Sequence, residues 1–552
     1  MKIIIKIIFK IRSKVLSWIA SLRYYQTVRD YCQLNRKVLA TPSHSLKGPI
    51  ILMELNDMHS AHIAYAYLGS LLAEKHGAEI KAYFNGVLGN WWLHIKFKLN
   101  SSFYFGKFGI YKSFGANEFI YIQVDKLQCI RASEMHVEII NRLNNNRDIE
   151  DLHINGVWVG DLIYDSFLRE YNLPTIDPSS LIFRNFLLKS IELFVFWEDY
   201  LNNNDVRAIN VSHCVYNLAI PLRLAIKMGI EVYQANLTHI YHLSGDKLFA
   251  YSSDFFEFRE KFASLPLEIQ KAGVSLAEER MNCRFAGDVG VDMIYSTKSA
   301  FTEPTPERLL RQSERTKILI ATHCFFDSPH SFGKNLFPDF YQWMEFLGDI
   351  SEQTDYDWYI KTHPDYVLGT KDIVDNLVAR FPKFTLLPSD SSHKQIVAEG
   401  IDVALTCYGT IGFEYAALGV MVINASMNNQ HIAYDFNLHA RDVIHYRELL
   451  FNLPNLELII DKKQVYEYYF MRYIYNTDNI FFKDYNKIVW QLGGYYKQFT
   501  PEIYKYWINE WSEIRHIEVV RAINKFISSG DFRMDLSHYG LKTPISLQGT
   551  KT

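Results

Sequence analysis

The chain has 552 residues, of which 48% are hydrophobic and 22% are charged, and its formal net charge at pH 7 is −3. This length exceeds what one compact core serves, so we expect two or three domains. The composition is globular and excludes an extensively disordered protein. The slightly negative charge gives no indication of a nucleic-acid partner, which would require a basic excess.

The first thirty residues are basic and apolar, with no acidic residue before Asp30. Lysines recur at four-residue spacing and interrupt every long apolar run, which excludes a spanning helix and an ordinary signal peptide. We therefore predict that residues 1–40 form an amphipathic helix, which contacts an anionic membrane surface through residues 1–30. The alternative is a helix docked on the protein's own core. Isolated cysteines favour the reducing cytoplasm, so we expect a peripheral protein on the inner face of the cell membrane.

The next region begins with a strand–helix–strand pattern. Residues 48–54 form a buried apolar run, 62–76 are helical in pattern, and 78–84 again predict a strand. Further extended segments, helices and a glycine-containing turn follow, and their predicted ranges are 119–124, 132–144, 155–161, 206–212, 216–228 and 231–233. Residues 48–302 are accordingly predicted to form a Rossmann-like lobe.

A proline-containing, charged linker at 303–314 precedes a regular alternation of strands and helices. The predicted strands are 317–321, 358–361, 384–387, 402–405 and 420–423, and the predicted helices are 340–347, 371–380, 392–398 and 411–418. Short loops between them indicate a mainly parallel sheet covered on both faces, within a second Rossmann-like lobe at 315–460. Residues 461–552 are aromatic and helical in pattern and are expected to pack across both lobes. The predicted class is therefore α/β, with two Rossmann-like lobes facing a central cleft.

Two predicted strand ends of the second lobe carry polar groups. Ligands of open parallel sheets lie beyond the carboxyl ends of the strands. One strand ends in Lys361-Thr362-His363-Pro364, and the histidine could donate to a phosphate oxygen. A histidine–proline pair alone, however, is more often a structural turn.

The other strand runs into Tyr408-Gly409-Thr410-Ile411-Gly412-Phe413-Glu414. Glycines, free amides and the Thr410 hydroxyl could hold a phosphate there. Glu414 could accept hydrogen bonds from a ribose, or could simply be a carboxylate favoured at a helix start. Together, the two strand ends predict a pocket for a nucleoside mono- or diphosphate.

Residues 409–423 resemble the donor-site signature of GT-B glycosyltransferases. With residues 361–364 they look like the His-Pro group, which includes bacterial sialyltransferases, capsule Kdo transferases and CDP-glycerol phosphotransferases. The acidic motif that several sialyltransferases use as base is missing, which argues against sialic acid as the sugar. The resemblance implies a donor site formed by His323, Ser328, Lys361, His363, Gly409, Thr410, Ile411, Gly412 and Glu414.

The resemblance also implies a CMP- or UDP-linked donor as substrate, with no cofactor and no metal. The segment 321–331 contains two histidines and an aspartate and so invites a metal interpretation. GT-B transferases generally stabilise the leaving phosphate with side chains and helix dipoles, however, so a metal is not expected.

The candidate catalytic residues are in the first lobe. Asp57 and His59 follow its first strand and could deprotonate an acceptor hydroxyl, although Asp57 could instead cap the next helix. Asp161, in the glycine-containing turn, is a second candidate. His213 could line the same cleft or be a buried structural histidine.

The predicted function is transfer of a sugar from a nucleotide-activated donor to a growing bacterial surface polysaccharide, such as capsule or O-antigen, or to a lipid-linked glycan. The alternatives are a CDP-alcohol phosphotransferase that builds a teichoic-acid-like polymer and a non-catalytic scaffold of a polysaccharide assembly complex.

Overall fold

The computed structural model describes residues 25–39, 48–87, 91–102, 108–293, 296–363, 369–476 and 479–540. It contains two six-stranded sheets, each built almost entirely of parallel strands, so the predicted α/β class with two Rossmann-like lobes is confirmed. Most of the predicted N-terminal helix lies outside the described residues, and 25–38 of it are helical. Within the described ranges, no helix combines the length and apolar character needed to cross a membrane.

The sheet of the first lobe has the order β3-β2-β1-β6-β7-β8, in which only the β7–β8 pair is antiparallel. All five residues of its central strand β1 are buried, as expected for an apolar run covered on both faces. A separate two-stranded antiparallel sheet pairs β4 with β5. The strands are β1 Ile50–Glu54, β2 Glu79–Val87, β3 Ala116–Ile122, β4 His153–Ile154, β5 Val157–Trp158, β6 Val206–Val211, β7 Glu231–Asn236 and β8 His239–Leu243.

Helices cover both faces of this sheet. The helical residues 25–38 (α1) and helix α2 pack on one face, and α6 to α8 pack on the other. The helices are α2 Ala61–His76, α3 Trp91–Ser102, α4 Lys126–Ile140, α5 Asn146–Glu150, α6 Gly160–Tyr171, α7 Leu181–Asn203 and α8 Ile220–Lys227.

The predicted turn at 155–161 ends earlier than expected, because α6 already begins at Gly160. A Cβ at Gly160 would lie 2.1 Å from the carbonyl oxygen of Ile149, so only glycine permits this close approach.

The sheet of the second lobe has the order β11-β10-β9-β12-β13-β14 and is parallel throughout. All of its predicted strands and helices occur, with bounds within about two residues except that α11 extends six residues past its predicted end. The predicted elements are β9 Lys317–Ala321, α11 Phe340–Gln353, β10 Asp357–Lys361, α12 Thr370–Arg380, β11 Phe384–Leu386, α13 His393–Ala398, β12 Val403–Thr406, α14 Ile411–Ala417 and β13 Met421–Asn424. The elements β14 Leu438–His439 and α15 Val443–Phe451 were not predicted.

Two helices that precede the predicted linker, α9 Phe258–Ser264 and α10 Leu267–Ala286, share a buried cluster with α14 and α16. The C-terminal helices are α16 Lys462–Tyr469, α17 Tyr485–Leu492, α18 Glu502–Glu510 and α19 Glu513–Ser529. Whereas α16 packs on the second lobe, α17 to α19 pack on the first lobe against α2. The C-terminal chain thus contacts both lobes.

The loop after β9, residues 322–339, joins the second lobe to α5 and α6 of the first. Its His330 is 1% exposed and lies between two buried carboxylates, 2.6 Å from Asp165 Oδ1 and 3.2 Å from Glu150 Oε1. Burial alone would lower the pKa of His330, but the two carboxylates raise it, so the ring is a buried imidazolium. Tyr164 also donates to Asp339 across this interface.

Candidate functional site

A cavity of about 280 Å³ lies at the carboxyl ends of β9, β10 and β12. Strand order reverses between β9 and β12, so the cavity is at the topological switch point where open parallel sheets bind ligands. Residues of α10 and the segment after it form its other wall. Its lining includes Arg284, Lys298, Thr322, His323, Lys361, His363, His393, Thr406, Gly409, Thr410, Ile411 and Glu414.

Lys361 supplies a buried positive charge to this cavity. It ends β10, is 3% exposed, and its Nζ donates to the carbonyl oxygen of Ser389 at 3.1 Å. Burial lowers the pKa of Lys361 to about 8, while the Asp390 and Glu414 carboxylates oppose the shift. The ammonium therefore stays charged at neutral pH, where a bound anion would compensate its desolvation.

His323 is a neutral imidazole with a defined tautomer. Its Nε2 accepts the backbone N–H of Cys407 at 3.2 Å, so the ring proton is on Nδ1, which can donate to a ligand. Burial lowers the pKa of His323 to about 3, and its ring stacks on Phe340 at 4.5 Å. A Cβ at Gly409 would lie 2.8 Å from Thr406 Oγ1, so glycine permits the tight turn that follows β12.

Glu414 is engaged by an arginine from outside the sheet. It lies in the first turn of α14, is 6% exposed, and forms an ion pair with Arg284 of α10. Its other oxygen is 3.4 Å from Thr410 Oγ1, at the N-cap of the same helix. A ribose that bound Glu414 would therefore have to share it with Arg284.

Two histidines complete the wall. His363 follows β10 and is exposed, so it lies where the cavity meets solvent, and Pro364 lies outside the described residues. His393 is buried, with Nδ1 2.7 Å from Tyr415 Oη. Its pKa is lowered by burial and by Lys361 and His363, so it adds no charge at neutral pH.

Seven of the nine predicted donor-site residues line this cavity, and Ser328 and Gly412 do not. Ser328 is 4% exposed with φ of 27°, and its carbonyl oxygen accepts a hydrogen bond from Tyr408 at 3.2 Å. A Cβ at Gly412 would lie 2.3 Å from His431 Cε1, so this glycine serves helix packing.

The predicted catalytic residues lie in the first lobe, away from the cavity lining. Asp57 is exposed in the loop after β1, and Ser60, not Asp57, occupies the N-cap of α2. The His59 ring is 5.6 Å from that of Tyr504. Asp161 is 1% exposed, and its Oδ2 accepts from Arg223 at 2.7 Å, so the structure brings it to a buried ion pair and not to the cavity.

Several cavity residues were missed by sequence reasoning, notably Arg284, Lys298, His393 and Thr406. Thr406 ends β12, a position that the strand-end rule could have identified. Arg284 lies in α10, and no local pattern ties it to Glu414, which is 130 positions later in the chain. No group of three or more His, Cys, Asp or Glu in the described part of the chain is arranged to hold a metal ion.

No protein-family model matches the chain, and no curated protein matches it. Among solved structures, KpsC, a beta Kdo 2,4 transferase of Thermosulfurimonas dismutans, is 12% identical over 48% of this chain and 79% of its own, with a TM-score of 0.30. A Neisseria meningitidis UDP-GlcNAc 2-epimerase bound to UDP-GlcNAc is 11% identical over 77% and 93%, with a TM-score of 0.22.

A glycosyltransferase of Rickettsia africae is 11% identical over 84% of this chain and 100% of its own, with a TM-score of 0.24. Similarity at this level carries no argument about activity. The fold is therefore taken from the two sheets, and the function is argued from the cavity.

Proposed function

We propose that the protein is a glycosyltransferase of the GT-B type that uses a CMP- or UDP-linked sugar donor. One observation carries the proposal: Lys361, His323 and Thr410, from three different strand ends, line one cavity at the switch point of a parallel sheet. They are respectively a buried cation, a neutral N–H donor and a hydroxyl, which is the set of groups that a nucleotide phosphate requires.

The proposed step breaks the bond between the anomeric carbon and the phosphate oxygen, and the nucleotide leaves with the electron pair. A new bond forms between the acceptor oxygen and the anomeric carbon, and the acceptor proton passes to a base. Lys361 and the Nδ1–H of His323 would stabilise the charge that develops on the leaving phosphate. His363, at the mouth of the cavity, could protonate or hydrogen-bond the same group. Side chains alone would supply the positive charge, without a metal.

Asp57 and His59 remain the proposed bases for the acceptor hydroxyl, because their loop lies at the carboxyl end of β1 and Asp57 is exposed. Asp161 suits this role less well, since its carboxylate is held by Arg223 in the interior. The proposed acceptor is a growing surface polysaccharide or a lipid-linked glycan at the cytoplasmic face of the membrane.

A nucleotide-binding screen tests the proposal. Purified protein is titrated calorimetrically with CMP, CDP, UDP, GDP and TDP, and at least the CMP or UDP series should bind. His363→Ala should weaken that binding about tenfold, because it removes one hydrogen bond to a charged group. His153→Ala, an exposed histidine of β4, is the matched control and should bind like the parent. Absence of binding by every nucleotide would refute the proposal.

Product mass then distinguishes the chemistry. A sugar transferase adds a glycosyl unit without phosphorus, whereas a CDP-alcohol phosphotransferase leaves one phosphate on the product. Incubation with the nucleotide-linked donors that bind, followed by mass spectrometry of the acceptor, separates the two. Phosphorus in the product would refute glycosyl transfer and support the phosphotransferase alternative.

A further inference from the structure

Helix α3, Trp91–Ser102, exposes apolar side chains that no element among the described residues covers. Trp91 and Trp92 are 60% and 65% exposed, and their rings lie 4.1 Å apart. Leu99 is 54% exposed and Ile95 is 36% exposed. Two neighbouring exposed tryptophans are rare on the surface of a globular protein and usually indicate an interaction site.

The inner face of α3 is anchored to the first lobe. Phe97 is 5% exposed and packs against Phe84 of β2, Tyr121 of β3 and Phe108 of the loop before β3, with ring centroids 5.6 to 6.3 Å away. Because Phe97 and Ser101 point inward, helical periodicity turns the opposite face, at positions 92, 95 and 99, away from the protein. The outward stripe is therefore held rigidly by the lobe.

The charged residues of α3 itself have one sign. Lys96 and Lys98 are exposed on either side of the outward stripe. No Asp or Glu occurs between Glu79 and Glu118, although the whole chain carries slightly more acidic than basic residues. An apolar stripe with a tryptophan, flanked by lysines on a helix without carboxylates, is complementary to the apolar boundary and anionic headgroups of a phospholipid surface.

We infer that α3 is a membrane-docking helix, which inserts Trp92, Ile95 and Leu99 into the interfacial region while Lys96 and Lys98 contact anionic headgroups. The site is separate from the amphipathic segment predicted at the N-terminus. Since α3 follows the carboxyl end of β2, docking places the carboxyl-end edge of the first sheet next to the lipid surface. The inference does not depend on which group the protein transfers.

Hydrogen–deuterium exchange of the full chain, read at peptide resolution, tests this inference. Vesicles of phosphatidylcholine with about 30% phosphatidylglycerol should slow exchange in residues 91–102, and pure phosphatidylcholine vesicles should do so much less. Residues 126–140 of α4, on the other side of the sheet, are the internal reference and should be unchanged.

Two double variants separate the apolar and the ionic contributions. Trp92→Ser/Leu99→Ser should lower vesicle partitioning about tenfold without changing charge. Lys96→Gln/Lys98→Gln should lower it about tenfold on the anionic vesicles and leave binding to neutral vesicles unchanged. Leu127→Ser, at a leucine of α4 that is 77% exposed, is the matched control and should partition like the parent. All of these positions are at the surface, so thermal unfolding should be nearly unaltered.

Two results would overturn the inference. In one, the vesicles protect residues 1–29 while 91–102 exchange as in the free protein, so that the lipid contact belongs to the N-terminus. In the other, residues 91–102 become protected as protein concentration rises without vesicles, and the surface is then a contact between two copies of the chain.

Discussion

The two lobes have the same strand order around their switch points, but different side chains lie there. In the first lobe Glu54, at the end of β1, accepts the backbone N–H of Ser212 after β6. In the second lobe His323, after β9, accepts the corresponding N–H of Cys407 after β12. One architecture therefore satisfies the same backbone group with a carboxylate in one lobe and a neutral imidazole in the other.

This difference favours the second lobe as the proposed phosphate site. The first-lobe carboxylate is 2% exposed, and its burial raises the pKa of Glu54 to about 7. Partial negative charge at that position disfavours an anion. The second lobe has the neutral His323 and the buried cation Lys361 instead. Each of the two Rossmann-like sheets forms a crevice at its switch point. The comparison teaches that the individual side chains in a crevice determine whether it suits a nucleotide.

The largest expected effect tests whether the two lobes are joined by the buried charges around His330. Asp165→Asn should lower the free energy of unfolding by about 4 kcal/mol, because it removes one partner of a buried imidazolium. Folding raises the pKa of His330, so the charged ring stabilises the folded protein. This stabilisation is complete when the pH is below the pKa of the unfolded chain, and it is lost as the pH rises through the pKa of the folded protein.

Urea unfolding at about pH 6 is the measurement for this variant, since the ring is then protonated in both the folded and unfolded states for most molecules. Asp327→Asn is the control, in the same loop but with a half-exposed side chain. It should change the free energy by less than about 1 kcal/mol. Equal effects of the two substitutions would show that the buried charges do not hold the lobes together.

The next effect concerns the first-lobe switch point. Between the ordinary glutamate pKa of about 4.3 and the folded value, the folded protein binds more protons at Glu54 than the unfolded chain does. The free energy of unfolding should therefore fall as pH rises through this window. Glu54→Gln should remove that slope and, at pH 8, unfold with a free energy up to about 3 kcal/mol higher than the parent.

Urea titrations at several pH values check this result, and the nucleotide affinity of Glu54→Gln should equal that of the parent. A slope identical to the parent's would mean that Glu54 is not the buried group that titrates.

Lys361→Met tests the buried cation of the second lobe. Loss of the cation should weaken nucleotide binding about 100-fold, within the range for hydrogen bonds to charged groups. The ligand-free protein should at the same time become more stable, because an apolar chain of similar length replaces a desolvated ammonium. Calorimetric titration and thermal unfolding measure the two effects. Lys371→Met, with a side chain 64% exposed on α12, should change neither by much.

The smallest effect is the pH dependence of that binding. The pKa of Lys361 is lowered to about 8, so the ammonium loses its proton as pH rises from 7 to 9. Nucleotide affinity of the parent should then fall about tenfold. Lys361→Arg keeps its charge over this range, so any affinity it retains should stay constant. A parallel fall in both proteins would assign the titration to another group.

Much of the second lobe could be predicted from sequence because its strands are continuous apolar runs with sharp ends. The predicted strand 317–321 and helix 371–380 agree with β9 and α12 to within one residue. The convergence of Lys361, His363 and Thr410 also followed from a general rule about strand ends.

What sequence reasoning missed depends on tertiary contacts. The pairing of Glu414 with Arg284 joins residues 130 positions apart, and no local pattern encodes it. Gly412 was interpreted as a phosphate-binding glycine, although its position is set by the ring of His431. The helix α7, Leu181–Asn203, escaped detection as well.

The attachment of α17 to α19 to the first lobe has a consequence for biosynthesis. One face of the first sheet, including α2, is buried by residues between Ile480 and Met534. A ribosome makes roughly 5 to 20 residues per second, and domains normally fold as they emerge. Here the N-terminal lobe cannot cover that face until residues 480–534 have been synthesised, so the nascent chain exposes it throughout the translation of the second lobe.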